Sequence, residues 1–377
     1  MTSEERKEAR YQRRVLRRQQ KKLVKRAKYD DFRKVFSYGN LYRAYKRCRC
    51  GVAWKASVQK YIANAPLNVL HTWTELEQGK FKSPGFYEFD LYERGKHRHI
   101  RSTGIMERVV QRCLCDNALI PALERTFVYD NGASMKNKGY AFSVRRLSKH
   151  LQSHYRKYGN EGYILLFDFS KFFDNVPHDI VKAALHREIS DPKIRALTEH
   201  FIDAFGDIGM GLGSQISQVF ALVSANRLDH YIKEVLGIKG YGRYMDDGYL
   251  IHRSKKHLQF CLEKIKALCE ELGITLNTKK TVIVKLSHGF SWLKIRTYLT
   301  ATGKVVKKIY KRSVTRMRRK LKKLYVKMKD GKLTYKDVYT AWQSWRSYAM
   351  GFHAWHTIQS LGKIYTRLYV NEPYEMA

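Results

Sequence analysis

Acidic residues are scarce: 34 Asp and Glu stand against 73 Lys and Arg, leaving a formal net charge of +39. Such an excess repels itself in a folded chain unless a polyanion neutralises it, so nucleic acid is the expected partner. No apolar run is long enough to span a bilayer. Neither a helix with a clean apolar face nor a lipidation signal is present, so no membrane partner is expected. The N-terminus is charged from Glu4 onward, which excludes a secretory signal and makes the cytoplasm the expected location. Cysteine is sparse too. Cys48, Cys50, Cys113, Cys115, Cys261 and Cys269 read as free thiols of a reducing compartment. The Cys-x-Cys pairs lack the spacing of zinc ligands. Internal repeats and low-complexity linkers are missing. What is present, 44% hydrophobic residues in a 377-residue chain, suffices for one or two substantial cores.

Residues 4–28 combine strong helix formers with a thin apolar stripe (Val15, Leu16, Leu23, Val24), giving a helical arm. Solvated, it is a partly disordered appendage; on RNA or DNA it neutralises phosphates. Helical patterns follow over 38–80, broken at Gly51 and Pro66. From Phe86 the period changes to two, and Arg94-Gly95-Lys96 makes a turn, so 86–101 is a β-hairpin with cations at its tip and on its second strand. A helix over 107–120 stops at Pro121, residues 127–142 form a loop, and a basic helix occupies 143–157. Ile164–Phe167 is a buried-strand run ending abruptly in Asp168. Two helical stretches follow over 178–206, and a Gly-rich turn at 209–218 opens a helix reaching Leu236. Next come a hairpin at 240–251, a helix at 254–272, and short strands at 274–276, 282–286 and 290–296. From 300 onward a helical appendage is expected, with a basic helix from Ser313 to Asp330 and a second from Thr334.

One stretch organises the rest. Gly240–Ile251 reads as a hairpin whose turn, Tyr244-Met245-Asp246-Asp247, displays two adjacent carboxylates. Adjacent acids repel and lose solvation when enclosed, so a fold seldom gains stability from them. A divalent cation reverses that balance. An acid ending a buried strand, a Gly-rich turn into a helix and a hairpin with paired acids, all in a very basic chain, suit nucleotidyl transfer. Two metal ions roughly 3.5–4 Å apart serve that reaction, activating a 3′-hydroxyl and stabilising pyrophosphate. Clustered carboxylates select Mg²⁺, with Mn²⁺ as a substitute.

With Tyr244–Asp247 and Phe167-Asp168-Phe-Ser-Lys-Phe-Phe-Asp-Asn-Val-Pro-His178 in this order, the chain resembles a bacterial reverse transcriptase over about residues 86–360. The resemblance implies an α+β right-hand polymerase with fingers, an antiparallel palm and a helical thumb. The implied division is an N-terminal arm over 1–37, fingers over 38–160, palm over 161–299 and thumb over 300–377. It also implies Asp168, Asp246 and Asp247 as the catalytic acids, with the Phe169 carbonyl completing the metal shell. Phe173 matches the steric gate against a ribose 2′-hydroxyl, or is one more core aromatic. Leu276-Asn-Thr-Lys-Lys-Thr281 resembles the motif whose lysine lies near the triphosphate, with Lys280 the better match and a solvated lysine the alternative. Arg98 stands where a finger cation is expected, beside Lys96 and Arg101. Phe290, Trp292 and Leu293 belong to a stretch resembling the primer grip (290–294).

One departure carries information. Where many relatives have Gln-Gly-x-x-x-Ser-Pro, this chain has Leu212-Gly213-Ser214-Gln215-Ile216-Ser217-Gln218. Leu212 and Gln218 resemble the turns of diversity-generating retroelement enzymes and of some antiphage-defence groups, near the group II intron-like lineage. Leu212 offers only packing beside the nucleotide, so altered fidelity or nucleotide preference is expected. Without a maturase, endonuclease or protease segment, a mobile-intron protein is not the expectation. The implied function is Mg²⁺-dependent cDNA synthesis on an RNA template, with a structured non-coding RNA, a DNA primer or product, and dNTPs as partners. An accessory protein or a second copy of the chain stays open as a further partner. Rival readings are untemplated or protein-primed synthesis by the same fold, and a catalytically silent RNA-binding protein.

Overall fold

The computed structural model describes residues 2–93 and 95–370; the side chains of Arg18, Gln19, Lys22, Lys25, Glu93 and Lys96 lie outside it. The expected turn residue Arg94, the Lys96 side chain, Met1 of the arm and the tail 371–377 therefore fall outside the described residues.

Strands β1 (Phe86–Glu93) and β2 (Lys96–Thr103) form the expected hairpin. Strands β3 (Tyr163–Asp168), β4 (Gly240–Tyr244), β5 (Asp247–His252) and β6 (Val282–Lys285) make an antiparallel sheet in the order β4-β5-β3-β6. Strands β7 (Phe290–Trp292), β8 (Ile295–Leu299) and β9 (Val305–Ile309) form a third sheet. The continuous apolar run of β3 reflects burial on both faces. Leu165 and Phe167 join the main, helix-lined core, while Ile164 and Leu166 pack with Leu147, Leu151, Phe290 and Trp292. Each such buried side chain contributes roughly 1.5–3 kcal/mol. Opposite Phe167 in the register stands Gly248, where a Cβ would lie 2.1 Å from the Phe167 ring. Only glycine lets that ring cross β5.

Helices cover the sheets. Tyr140–Tyr158 packs along β4, and the helices His178–Glu188, Gln215–Ser224 and Lys255–Glu271 line the main core. The basic helix Ser3–Tyr29 starts at Thr2, whose hydroxyl accepts from the Glu5 N–H while Glu5 accepts from the Thr2 N–H. Its described side chains are mostly exposed up to Lys28, and its far end is anchored. There Asp30 accepts the Ser190 and Asp191 N–H groups. The helices Lys311–Lys329, Tyr335–Met350 and Trp355–Tyr369 form a bundle around Leu321, Val338, Trp342, Leu361 and Tyr365. No helix among the described residues is long and apolar enough to cross a membrane.

Three local expectations are corrected. The helix expected to stop at Pro121 runs through it: Ile105–Leu114 widens into a π turn at Cys115–Leu119 and continues as Ile120–Leu123. The wide turn has already broken the i→i−4 ladder, so proline's missing N–H costs little there. Residues 274–276 form a single bridge, Phe169 to Leu276, rather than a strand. Residues 305–309, expected in a helical region, are β9. The turn Thr300–Gly303 (Gly303 φ 79°) followed by Val305-Val306 returns the chain along β8.

Candidate active site

The register of the central sheet builds the site. Asp168, last residue of β3, stands directly opposite Asp247, first residue of β5, and Tyr244 flanks Asp247 from β4. A two-residue loop, Met245-Asp246, closes the hairpin, with Met245 at φ 54°. The Phe169 N–H donates to the Asp246 carbonyl at 3.1 Å and ties this loop to the end of β3. Asp168 is buried; its Oδ2 accepts from Lys280 Nζ at 2.6 Å and from Asn277 Nδ2 at 3.3 Å. The Asn277 N–H donates to the Asp168 carbonyl at 2.7 Å, which fixes the turn carrying Lys280.

The electrostatics are unfavourable by construction. Burial, then the charges of Asp246 and Asp168, push the Asp247 carboxyl up to about 7. Partial burial works against the Lys280 charge, but its bond to Asp168 and the acids around it outweigh that and hold its pKa above the usual lysine value. Among the described residues, no three acidic, His or Cys side chains enclose an ion position as they stand. The donor chemistry nevertheless fits a hard divalent cation: carboxylate oxygens and a nearby backbone carbonyl, repelling one another across one strand pair.

On the side expected to face a nucleotide, Phe173 is half-buried; its carbonyl accepts the Met210 N–H at 2.7 Å and its ring meets Phe172 edge-on. The Asn-Val-Pro-His segment ties this turn to the glycine-rich one, since His178 Nε2 donates to the Gly209 carbonyl at 2.6 Å and the Gly209 N–H to Val176 at 2.9 Å. Leu212 is half-buried and bridges Ile100 of β2, its carbonyl accepting the Arg101 N–H at 3.3 Å. Gly213 has φ 115°, and a Cβ there would sit 3.2 Å from the Arg101 carbonyl, so the approach of hairpin and turn needs glycine. Of the finger cations, Arg101 is a strut, bonded to the Phe205 carbonyl at 3.0 Å and to Glu88 at 3.0 Å. Arg98 is exposed on β2 opposite Leu91. Gln218 is exposed, accepts from the Ser134 hydroxyl at 3.0 Å, and helps line a cleft of about 270 Å³ with Gly213 and Arg112.

A second cavity of about 490 Å³ joins the acids to β7: Asp168, Asp247 and Lys280 line it together with Phe290, Trp292 and Arg296. Trp292 stacks edge-on against Tyr249 at 4.7 Å, and it and Phe290 are core residues. Leu293 (φ 48°) and Lys294 (φ 62°) make the two-residue loop to β8. Both central residues at positive φ match a type I′ hairpin, written here without its usual Asn-Gly.

Sequence reasoning missed the charges behind the acids. Arg243, fully buried, pairs with Asp229 and also donates to the Met245 carbonyl. Asp130 lies in the expected loop at 127–142. Burial opposes its charge, yet bonds from His150, Arg146 and Lys233 hold its carboxyl well below the usual range. The Asp130 carbonyl and the Gly132 N–H bond Arg243 of β4 at 3.2 and 2.9 Å, so this loop edges the sheet beside the acids. Arg243 was hidden among 73 basic residues; its place inside an otherwise buried strand was the available signal.

Fold and site define a polymerase-type palm, with acids on adjacent antiparallel strands. A family model described as reverse transcriptase (RNA-dependent DNA polymerase) matches residues 93–299, more than half of the chain. The chain belongs to that family, and its architecture is that of fingers, palm and thumb. Protein YkfC of Escherichia coli (strain K12) is 25% identical over a 242-residue alignment that covers 53% of this chain and 62% of YkfC. Among solved structures, telomerase from Candida albicans in complex with a TWJ fragment of telomeric RNA aligns at 12% identity and a TM-score of 0.44, over 65% of this chain and 49% of that one. Apo telomerase from Candida tropicalis aligns at 16% identity and a TM-score of 0.46, over 65% and 52%. The chain thus spans between about half and three-fifths of the length of these relatives.

Proposed function

We propose that the chain is an RNA-directed DNA polymerase that adds deoxynucleotides to a DNA 3′ end. The observation carrying this reading is the pairing of Asp168 with Asp247 across β3 and β5, with Asp246 on the adjoining loop. Asp168, Asp246, Asp247 and the Phe169 carbonyl would hold Mg²⁺, with Mn²⁺ as a substitute. Two such ions, when bound, supply an activated 3′-hydroxyl and charge stabilisation for the leaving pyrophosphate.

The chain's own residues do the rest. Lys280, protonated on Asp168, is released toward the triphosphate once that carboxylate is engaged elsewhere, and its Nζ then carries a proton for pyrophosphate. Arg98 receives phosphate from the β1–β2 hairpin. Phe173 leaves no room beside the sugar for a 2′-hydroxyl. Leu212, Gly213 and Gln218 border the templating pair, and the backbone of Phe290–Leu293 supports the primer end. In this reading 1–37 is a nucleic-acid-binding arm, 38–160 the fingers, 161–299 the palm and 300–377 the thumb. The turn Thr300–Gly303 and strand β9 argue for starting the thumb near Lys311 instead. Structured RNA from a retroelement or antiviral-defence cassette is the proposed template, supported by the Leu212 turn. A cytoplasmic site is supported by the free thiols.

Sequencing nucleic acid that co-purifies with wild type and with Asp246→Ala/Asp247→Ala tests the proposal. Template-complementary DNA only with wild type is expected. Identical nucleic acid in both would leave a silent RNA-binding protein, and non-templated tails would favour terminal transfer.

A further inference from the structure

A charged pair is shut away from solvent beside the acidic loop. Arg243 of β4 and Asp229 of the helix Asn226–His230 both have 0% side-chain exposure. Two parallel bonds join them, Nε to Oδ1 at 2.7 Å and Nη2 to Oδ2 at 2.6 Å, and the Tyr241 hydroxyl donates to Oδ1 at 2.5 Å. The remaining nitrogen, Nη1, donates to the Met245 carbonyl at 2.8 Å.

That carbonyl is one of two that flank Asp246. The other, on Asp246 itself, is held by the Phe169 N–H. Because peptides are planar, a bond to each carbonyl fixes both planes meeting at the Asp246 Cα, and hence the direction in which its carboxylate leaves the chain. The loop needs such fixing. Met245 sits at φ 54°, in the left-handed region that a residue with a Cβ resists. Stability alone does not account for the pair, because a well-packed apolar pair is generally as stable as a buried ionic one. Apolar residues lack the directed donor to Met245, and they also leave the buried Tyr241 hydroxyl and the Leu222 carbonyl, which Nη2 meets at 3.4 Å, without this partner.

We propose that Arg243, aimed by Asp229, is a positioning residue: it holds the Met245 carbonyl and so presets the Asp246 carboxylate for metal and primer end. This rests on the polymerase reading above. Lysine at 243 keeps the charge pair but cannot form two bonds to Asp229 and also reach Met245.

The test compares wild type, Arg243→Lys and the apolar double variant Arg243→Met/Asp229→Leu. Cooperative urea unfolding at a midpoint lowered by the bonds lost to Tyr241, Leu222 and Met245, unchanged affinity for an RNA–DNA template–primer, and a ~10–100-fold fall in kcat are expected. The Mn²⁺ dissociation constant, read by electron paramagnetic resonance without substrate, should rise several-fold in both variants. Wild-type kcat and Mn²⁺ affinity in either folded variant would overturn the proposal. So would failure of both variants to fold, which would make the pair a stabilising element. A wild type that binds Mn²⁺ and template–primer but incorporates nothing would instead overturn the polymerase reading, leaving the metal arm to judge the positioning role.

Discussion

Replacing Asp247 by asparagine should stabilise the metal-free protein while abolishing its activity. The Asp247 carboxyl is displaced from 3.8 to about 7 by burial and by the charges of Asp246 and Asp168. The sign follows from which state holds the proton. Between about pH 4 and pH 7 the folded chain keeps a proton that the unfolded chain has lost, so stability falls as pH rises through that window and stays low above it. The displacement corresponds to a ceiling of about 4 kcal/mol, and solvent reaching a partly exposed group trims this to ~2 kcal/mol. Asparagine resembles the protonated acid and carries no charge at any pH. Urea unfolding in EDTA should therefore give Asp247→Asn a gain near that size at pH 8, shrinking toward zero at pH 4. Mg²⁺ should raise the wild-type midpoint more than that of the variant, and nucleotide incorporation should fall at least ~10²-fold. A variant less stable than wild type at pH 8, or a gain that does not depend on pH, would refute the electrostatic account.

Leu212→Gln returns a hydrogen-bonding side chain to the turn bonded to Arg101, and the error spectrum of the cDNA should change; an unchanged spectrum removes Leu212 from fidelity control. Phe173→Ala should raise the use of ribonucleotides over deoxynucleotides by ~10–100-fold, read from competing incorporation. Because Phe173 is half-buried, its loss of stability should be smaller than for a core phenylalanine, about 1–2 kcal/mol rather than the ~3–5 of a full core truncation. Removing residues 2–21, whose described side chains are mostly exposed, should leave the melting temperature within ~1 °C of wild type. The slope of log affinity for RNA against log salt should become shallower by ~0.7–0.9 for each phosphate that the arm no longer neutralises. An unchanged slope would make the arm a spectator.

The sequence made legible what depends on local pattern. The two-residue loop between β4 and β5, the buried run of β3 and the period change at Phe86 each follow from alternation and turn composition, and each is in place. The misses share a cause in long-range context. Pro121 is tolerated because a π turn precedes it, and that turn is invisible to a periodicity count. Strand β9 forms because β8 offers an edge, whereas residues 300–310 show a turn and a short set of strand formers, Val305, Val306, Ile309 and Tyr310, interrupted by Lys307-Lys308. Leu293-Lys294 adopts a type I′ loop with neither Asn nor Gly, so tertiary packing of Trp292 on Tyr249 overrides turn preference. Asp229 and Arg243 lie 14 residues apart, and nothing in their spacing distinguishes a buried pair from two solvated charges.

The distribution of acid partners argues for the site independently of any motif. Bases outnumber acids by 39, so an ion partner is easily found, and most buried acids have one. Asp130 has Arg146, His150 and Lys233, Glu188 has Arg125 and Arg187, Asp229 has Arg243, and Asp168 has Lys280. Glu107 is instead capped by Ser83 and Gln111, and burial raises its pKa. Asp247 differs in kind: it faces Asp168 across the strand pair and follows Asp246, and those acids, with burial, are what displace it. A fold so rich in cations has placed its least compatible acid where Lys280 sets its Nζ on Asp168 rather than on Asp247. Packing alone gives no reason for that arrangement, since apolar residues at 168 and 247 would continue the buried rows of β3 and β5. A ligand of high positive charge that enters and leaves does give one, and the expected pH-dependent gain in Asp247→Asn measures how much stability the fold forgoes to keep the position open for it.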